Sequence, residues 1–523
     1  MEAEFHASRA AVLAGITTFC VGFALAPMVL APFSEINGRY PVFSISGVVF
    51  VVFQVACGFV TNLAGMLACR FLVGVGGSVF STMIGGIIAD LYEKEGRSNP
   101  MAIFSGSVLV GTGLGPLVAS VMTSRLADDG DAWRWVFWHQ AIIGGVLVTL
   151  IAVLFKESRG SIVLSRRAKA LNQWYEARES AGYYGVWLPE PGPEPGPEPD
   201  PSPAAEVPAA GGSGNTGEAP GADDEEKRAT TASTGPNPST VTAVRLRWLV
   251  RSDSERANVG RMISISLYRP FHLLLTEPVV FWFSAWVSFA WAVLYLTFSS
   301  VPYVFETVYK WDSETTGYMF AAIMIGGVLS TVIGILQDDL LKHPQWRAEN
   351  WVSDDSSCEQ QPSGRSSTAT ARLYAILRRH FPVEAPESRL YFTCITATLL
   401  PIGLFIFGFT SRETVHWISP AIALCLASMG IFSVYLATFN YLADVYQTYA
   451  SSALAAQSCC RNLLGGVFPL VTLPLFENLG IARAGALLGG IALGLTLVPW
   501  VLVFFGSRIR ARSSFAMNLE KVC

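Results

Sequence analysis

Eleven runs of about 20 apolar residues, each long enough to cross a bilayer, leave this chain few ways to fold. They cover residues 10–31, 40–61, 65–89, 99–122, 136–155, 279–300, 317–337, 390–409, 415–438, 449–475 and 483–505. Backbone inside hydrocarbon must satisfy its own hydrogen bonds, so each run reads as a helix and the fold class as all-α and polytopic. Composition agrees: of 523 residues 51% are hydrophobic and only 15% charged, with mean hydropathy +0.41. The first run is too long for a cleavable signal and lacks its basic flank and small-residue cleavage site. The cluster Trp133, Trp135 and Trp138 reads as an interfacial belt.

Five runs precede a long polar region and six follow it. This predicts an N-terminal bundle over 1–158, a cytoplasmic linker over 159–278, a C-terminal bundle over 279–505 and a tail over 506–523. A second polar insert, 338–389, interrupts the C-terminal bundle. The linker centre, 189–240, carries Pro-Glu-Pro-Gly repeats and then Gly/Ala/Ser/Asp/Glu sequence. It cannot bury enough apolar surface to order itself and is expected to be disordered. One set of loops holds Arg39, Lys94, Arg97, Lys156, Arg159, Arg378, Arg389 and Arg508, whereas the opposite set holds Asp128, Asp129, Asp131, Glu306, Asp312 and Glu314. The positive-inside rule makes the basic end and the C-terminus cytoplasmic, and eleven spans then put Met1–Ala7 outside. The basic stretch Arg245–Arg269 suits either an anionic leaflet surface or a solvated segment.

Several function classes are disfavoured. The net charge is −4, with no basic patch interleaved with aromatics to suggest nucleic acid. The nine cysteines lie mostly inside apolar runs without CxxC or Cys/His spacing, which predicts neither a disulfide framework nor a metal site. No GxxxxGK[ST] phosphate loop is present, against ATP-driven pumping. Nothing points to covalent chemistry, so no catalytic residue and no cofactor are expected.

Polar and small residues within the spans are the functional candidates. Arg70 lies within about two turns of the start of its span, where a charge must face protein or a wet cavity. Arg461 is about twelve residues into its run, near the midplane at ~1.5 Å per residue. Burying it unpaired costs at least ~2.5–3.5 kcal/mol, so it needs a partner or water. No carboxylate lies mid-span, which leaves Asn440, Tyr295 or backbone. Trp282, Trp286, Trp291, Tyr295 and Phe298 fall at roughly helical spacing, as a pocket for a planar or cationic substrate or a lipid-facing surface would. Ala31-Pro32-Phe33-Ser34-Glu35-Ile36-Asn37-Gly38-Arg39 reads as a tight, charge-clamped link between two helices. The second half echoes it: Gly334 precedes Asp338 at a span's inner end, and Lys156-Glu157-Ser158-Arg159 is matched by Pro386-Glu387-Ser388-Arg389. Repeat-built transporters show such weak internal correspondence. No residue is singled out as proton carrier, because Asp90, Glu277, Glu477, His139, His272 and His416 all lie near span ends.

Taken together these segments resemble the major facilitator superfamily, and more narrowly its twelve-helix fungal drug:proton antiporters. Ala31–Arg39 is similar to that superfamily's motif between helices two and three, Arg70-Phe-Leu-Val-Gly-x-Gly-Gly-Ser78 to its helix-four motif, and Gly111-x-x-x-Gly-Pro116 to its antiporter motif. Supporting segments are Trp133–Trp138, Leu267–Pro270, Leu294–Phe298, His416–Ile418 and Arg461–Gly465. Two departures stand out: Tyr40 replaces a family arginine, and the first motif follows span one, as though the first helix were missing.

The resemblance implies two pseudo-symmetric bundles, here five plus six spans, around a midplane site reached by rocking. It implies that Glu35, Gly38, Arg39 and Asp90 work the cytoplasmic closure, with Glu35 facing the N-terminus of the span opening Tyr449-Ala450-Ser451. A helix N-terminus favours such a carboxylate by ~0.3–1 kcal/mol. It implies that Arg70, Gly74, Tyr295, Phe298, Asn440 and Arg461 serve the cavity and its coupling. It also implies a hinge and leak barrier at Gly111, Gly115 and Pro116, with the glycines allowing close helix packing and the proline kinking. The expected activity is proton-coupled export of a small organic molecule, such as a secondary metabolite, toxin or drug, across a fungal plasma membrane by a monomer. The expected partners are that solute, protons and lipid, with the proton gradient in place of a cofactor. An importer or polyamine-type exchanger is the first alternative, and a non-transporting sensor or truncated homologue the second. Deleting Pro189–Thr240 separates the last: retained efflux is expected of a transporter, whereas a signalling output lost from a chain that shows no solute flux fits a sensor.

Overall fold

The computed structural model describes residues 1–92, 96–126, 132–183, 247–250, 259–342, 385–446 and 449–511, without the side chains of a few of them, Glu35 and Asp90 included. The linker centre expected to be disordered lies outside the described residues. The helices are α1 (Glu2–Phe5), α2 (Arg9–Asn37), α3 (Arg39–Phe59), α4 (Leu63–Thr82), α5 (Ile84–Leu91), α6 (Ser98–Arg125), α7 (Ala132–Leu154) and α8 (Gly160–Ser180). They continue as α9 (Val259–Thr276), α10 (Pro278–Thr307), α11 (Ser313–Tyr318) and α12 (Ala321–Leu341). After a 3-10 turn at Pro386–Leu390 come α13 (Thr393–Thr396), α14 (Leu399–Thr410), α15 (Ile418–Tyr446), α16 (Ala450–Leu479), α17 (Ile481–Leu495) and α18 (Leu497–Arg510). Among the described residues eleven helical segments are long and apolar enough to span, matching the eleven apolar runs to within a few residues at most ends.

Local chemistry sets several helix starts. Asn62 accepts from the Gly65 amide at 2.6 Å and begins α4, while Asp312 accepts from the Thr315 amide and hydroxyl and begins α11. Those Thr315 bonds hold the Asp312 carboxyl below the usual carboxylate range. Pro278 occupies the first turn of α10, where a missing amide hydrogen leaves no intrahelical bond unmade. At α1, partial desolvation raises the Glu4 carboxyl, but Arg134 and the Trp133 indole outweigh it and hold the group below its ordinary range.

One compact unit comprises Met1–Ile162 and Arg256–Cys523, and a second comprises Val163–Glu255. Within the second, Asn172 exchanges two hydrogen bonds with the Trp248 backbone and Arg247 meets Glu179 at 3.3 Å. The spanning helices of the first unit pack in two matching sets. In the N-terminal half α2 packs on α4, α3 on α4 and α3 on α7. In the C-terminal half α12 packs on α15, α14 on α15 and α14 on α17. The halves meet where α6 lies on α12 and, by the same correspondence, where α16 lies on α2. α10 stands outside this pairing, packs on α16 and α15, and has no counterpart among the described residues of the other half. It is also the most enclosed span, 78% buried over its most apolar stretch against 17% for α7.

The echo between halves has a physical basis. Glu157, following α7, accepts from the Arg39 amide at 2.9 Å and the Tyr40 amide at 3.2 Å, so it caps the first turn of α3. Glu387, in the turn before α13, pairs with Arg510 at the end of α18. Each acid thereby fastens the last helix of its half to the helix corresponding to α3. Gly38 makes the first junction possible, because its φ of +101° and the Glu157 carboxylate beside it both exclude a side chain.

The close approach of α6 to α12 runs through glycines other than those expected. Gly111 and Gly115 have nothing within 4 Å of where a Cβ would stand. Gly113 instead abuts the Phe320 carbonyl (2.9 Å) and Met324 (2.7 Å), and Gly106 abuts Thr331. The reason is rotational: two residues along an α-helix turn about 200°, so Gly111 and Gly115 point away from the face that Gly106 and Gly113 present. Accordingly Gly113→Ala is expected to lower the melting temperature of the detergent-solubilised protein, with overpacking worth ~1–3 kcal/mol, and Gly111→Ala to leave it unchanged or raised. Gly38→Ala is expected to destabilise by ~1–3 kcal/mol on backbone strain alone.

Candidate functional site

Arg461, midway along α16, is 1% exposed. Its guanidinium carbon lies 4.5 Å from the centre of the Trp291 ring on α10 and 4.9 Å from that of Tyr435 on α15. The two rings stack on each other at 5.2 Å and 25°. Ring faces therefore meet the charge, where the sequence left Asn440, Tyr295 or backbone as the partner. Arg461 Nε and Nη1 have no hydrogen-bond partner, nor do Trp291 Nε1, the Tyr435 hydroxyl or either amide atom of Gln457. Gln457 lies one turn before Arg461 and is wholly buried. Asn462 by contrast is satisfied, donating to the Ser458 carbonyl at 2.8 Å. Tyr435 and Gln457 carried no separate signal in the sequence beyond the i, i+4 spacing of Gln457 to Arg461.

The other expected cavity residues distribute around this centre. Tyr295, one turn after Trp291, packs edge-on against Phe298 at 5.3 Å and faces Cys20 of α2. Thr17 on the same α2 face donates to the Gly466 carbonyl at 2.8 Å, joining the halves at this level. Arg70 is half-buried with its guanidinium 4.6 Å from the centre of the Phe137 ring, within electrostatic reach of Cys20. Gly74 sits in the crossing of α4 and α2, against the backbone at Phe19 and Phe23. The aromatics of α10 separate: Trp282 is 51% exposed, Trp286 packs in the core against Phe283, Trp291 lies against the arginine with Tyr295 in its electrostatic reach, and Phe298 packs on Tyr295.

A cavity of about 580 Å³ lies between the halves at the basic end. Pro27 and Ala31 of α2, Met101 of α6, Asn440 of α15 and Ser451 and Ser458 of α16 line it, together with Arg39, Arg97, Arg159 and Asp444. Its deepest α16 residue, Ser458, is one turn from Arg461, and Phe439 in its wall packs on Tyr435 at 4.8 Å. The end of α2 and the N-terminus of α16 thus border the same space; the Glu35 and Asp90 side chains lie outside the described residues. Beside the cavity Arg389 donates to Ser98 of α6 at 2.9 Å and to Asp444 at 3.1 Å, and lies 3.4 Å from Asp338.

At the acid-rich end the halves touch directly. Arg125 of α6 pairs with Glu314 of α11 at 2.9 Å, Tyr318 donates to the same carboxylate at 2.8 Å, and Ser120 donates to the Ser313 carbonyl at 2.5 Å. Pro116 stands one turn before Ser120 on α6, where it removes one amide donor from the helix. The halves thus hold a cavity between them at one end and are in direct contact at the other.

Comparison with known proteins agrees with this architecture. The family model of the Major Facilitator Superfamily matches residues 1–349. The transporter paaT of Penicillium rubens is 29% identical over 515 residues, 98% of this chain and 75% of that protein. A probable drug/proton antiporter of Saccharomyces cerevisiae, YHK8, is 26% identical over 515 residues, 98% of this chain and 80% of that protein. Among solved structures the proton:xylose symporter XylE shares the fold with a TM-score of 0.54 at 14% identity, over 96% of this chain and 90% of its own. The chain belongs to the Major Facilitator Superfamily and is a multi-pass membrane transporter, not an enzyme.

Proposed function

We propose that the chain exports a small organic molecule across the plasma membrane in exchange for protons, by alternating exposure of the Arg461 level to the two sides. The cavity between the halves that ends one turn below the buried guanidinium carries this reading. Loops at that end hold the excess of lysine and arginine, which supports a cytoplasmic opening and a conformation that accepts solute from the cell. Gly111–Pro116, similar to an antiporter motif, and a relative that bears the name drug/proton antiporter support outward exchange over import. In this reading Arg70, Tyr295, Phe298, Asn440 and Arg461 border the path. Gly74 lets α2 and α4 move as one body, and Glu35, Gly38, Arg39, Asp90, Gly111, Gly115 and Pro116 act in the change of state.

Two cysteine probes in a background stripped of the nine native cysteines test the alternation. Ser451→Cys lines the cavity and Ser120→Cys lies in the contact at the opposite end. Imposing a proton gradient from the acid-rich side is expected to lower maleimide labelling of the first while raising that of the second. Parallel changes, or none, would overturn alternating access. A C-terminal epitope is expected to bind antibody in yeast only after permeabilisation; surface staining of intact cells would reverse the assigned orientation.

A further inference from the structure

We infer that the transported solute is an organic anion: a planar aromatic carboxylic acid, or an equally acidic enol or phenol, whose negative group pairs with Arg461. This rests on the reading of the Arg461 level as the solute site and adds the charge and shape of what binds there. The first ground is the balance of donors. Two guanidinium nitrogens are buried without partners, and so are the Trp291 indole nitrogen and the Tyr435 hydroxyl of the rings packed on that guanidinium and, one turn away, both amide atoms of Gln457. Among the described residues no carboxylate forms a salt bridge with Arg461 or with Arg70, the second arginine at the bundle interior. A structural arginine at this depth would be held by an acid or by backbone carbonyls, because a desolvated charge left unpaired is strongly unfavourable. Here the partner is missing while the rest of the cradle is built.

The second ground is the sign of what each class of solute would meet. A cation arriving at this level would face the Arg461 guanidinium, with no carboxylate among the described residues paired to it. A neutral solute would leave the charge of Arg461 as poorly compensated as before. An anion supplies the acceptor that every orphaned donor lacks, and charge-assisted bonds of this kind are the strong ones. Shape follows from the walls: Trp291 and Tyr435 stack at 5.2 Å, Tyr295 and Phe298 meet edge-on, and a Cβ at Gly465 would stand 3.2 Å from the Trp291 ring, so a larger residue there would crowd it. Flat aromatic surface beside a cationic centre suits a ring that bears its acid directly.

The test uses the purified full chain in lipid nanodiscs and three probes of one shape, 1-naphthoate, 1-naphthamide and 1-naphthylmethylammonium, measured by equilibrium dialysis. Naphthoate is expected to bind saturably and about tenfold or more tightly than either analogue. Arg461→Gln is expected to remove that preference, and Arg461→Lys to restore part of it. The wild-type probe series stands even if a variant fails to fold. Equal or tighter binding of the ammonium or the amide, saturable binding of none of the three, or unchanged naphthoate affinity in a folded Arg461→Gln protein each overturns the anion assignment. Reciprocal labelling of Ser451→Cys and Ser120→Cys would survive all of these outcomes, so failure of the anion assignment is distinguishable from failure of the transporter cycle.

Discussion

A guanidinium with no carboxylate partner among the described residues, buried partway along a spanning helix, is the feature around which the remaining helices make sense. An isolated charge there costs at least ~2.5–3.5 kcal/mol. Stacking of a cation on an aromatic face returns ~0.5–2 kcal/mol, the upper figure when the pair is desolvated. Trp291 and Tyr435 therefore offset much of the penalty for Arg461 without discharging its hydrogen-bonding demand. Keeping two large rings in register requires α10, α15 and α16 to be tightly fitted to one another. That accounts for α10 being the most enclosed span and for its burial along nearly every face.

The two bundle ends differ. At the acid-rich end α6 and α11 make direct polar contact through Ser120, Arg125 and Glu314, whereas the basic end holds a cavity with the Arg389–Ser98 bridge beside it. Surface ion pairs such as Arg125–Glu314 contribute little each, typically 0–1 kcal/mol. Contacts of that size can be broken and remade within a working cycle. The glycine-mediated crossings are different: α6 against α12 at Gly113 and α2 against α4 at Gly74 join backbone to side chain or backbone at van der Waals distance. The first of these joins the two halves and the second lies within one, and a firm seam between bodies with weak latches at their ends is compatible with rocking of two bundles.

What could be read in the sequence followed from quantities that hydrocarbon enforces. Span number, length and order survive because unsatisfied backbone is intolerable there. The acid–glycine–arginine junction at Glu35–Arg39 with its faint echo at Gly334–Asp338, and the match of Glu157 to Glu387, were visible as residue spacing. Which side of a helix a residue faces was far less legible. A soluble helix shows its buried face by a polar stripe opposite, but a span is apolar all round and that periodicity fades. Hence Gly111 and Gly115 looked like packing residues when Gly106 and Gly113 do the packing, and the aromatics of α10 read as one stripe although Trp282 faces outward and Trp291 inward. Tyr435 had no mark of its own, since its role depends on a neighbour twenty-six positions along the chain (435 to 461) and on a third helix.

An unpaired charge at the solute level also bears on how binding can drive motion. A ligand shifts a conformational equilibrium only by its differential affinity for the two states. Had the chain carried its own carboxylate beside Arg461, the guanidinium would be satisfied in every state and occupancy would change little. With the acceptor supplied from outside, the free energy of pairing is present only when solute is bound and only in states that keep Arg461, Trp291 and Gln457 converged. Those groups belong to the C-terminal half, but Thr17 and Cys20 of the N-terminal half reach the same level through Gly466 and Tyr295. Filling the site is thereby felt by both bodies, which is the condition for a local ion pair to bias the position of one bundle against the other.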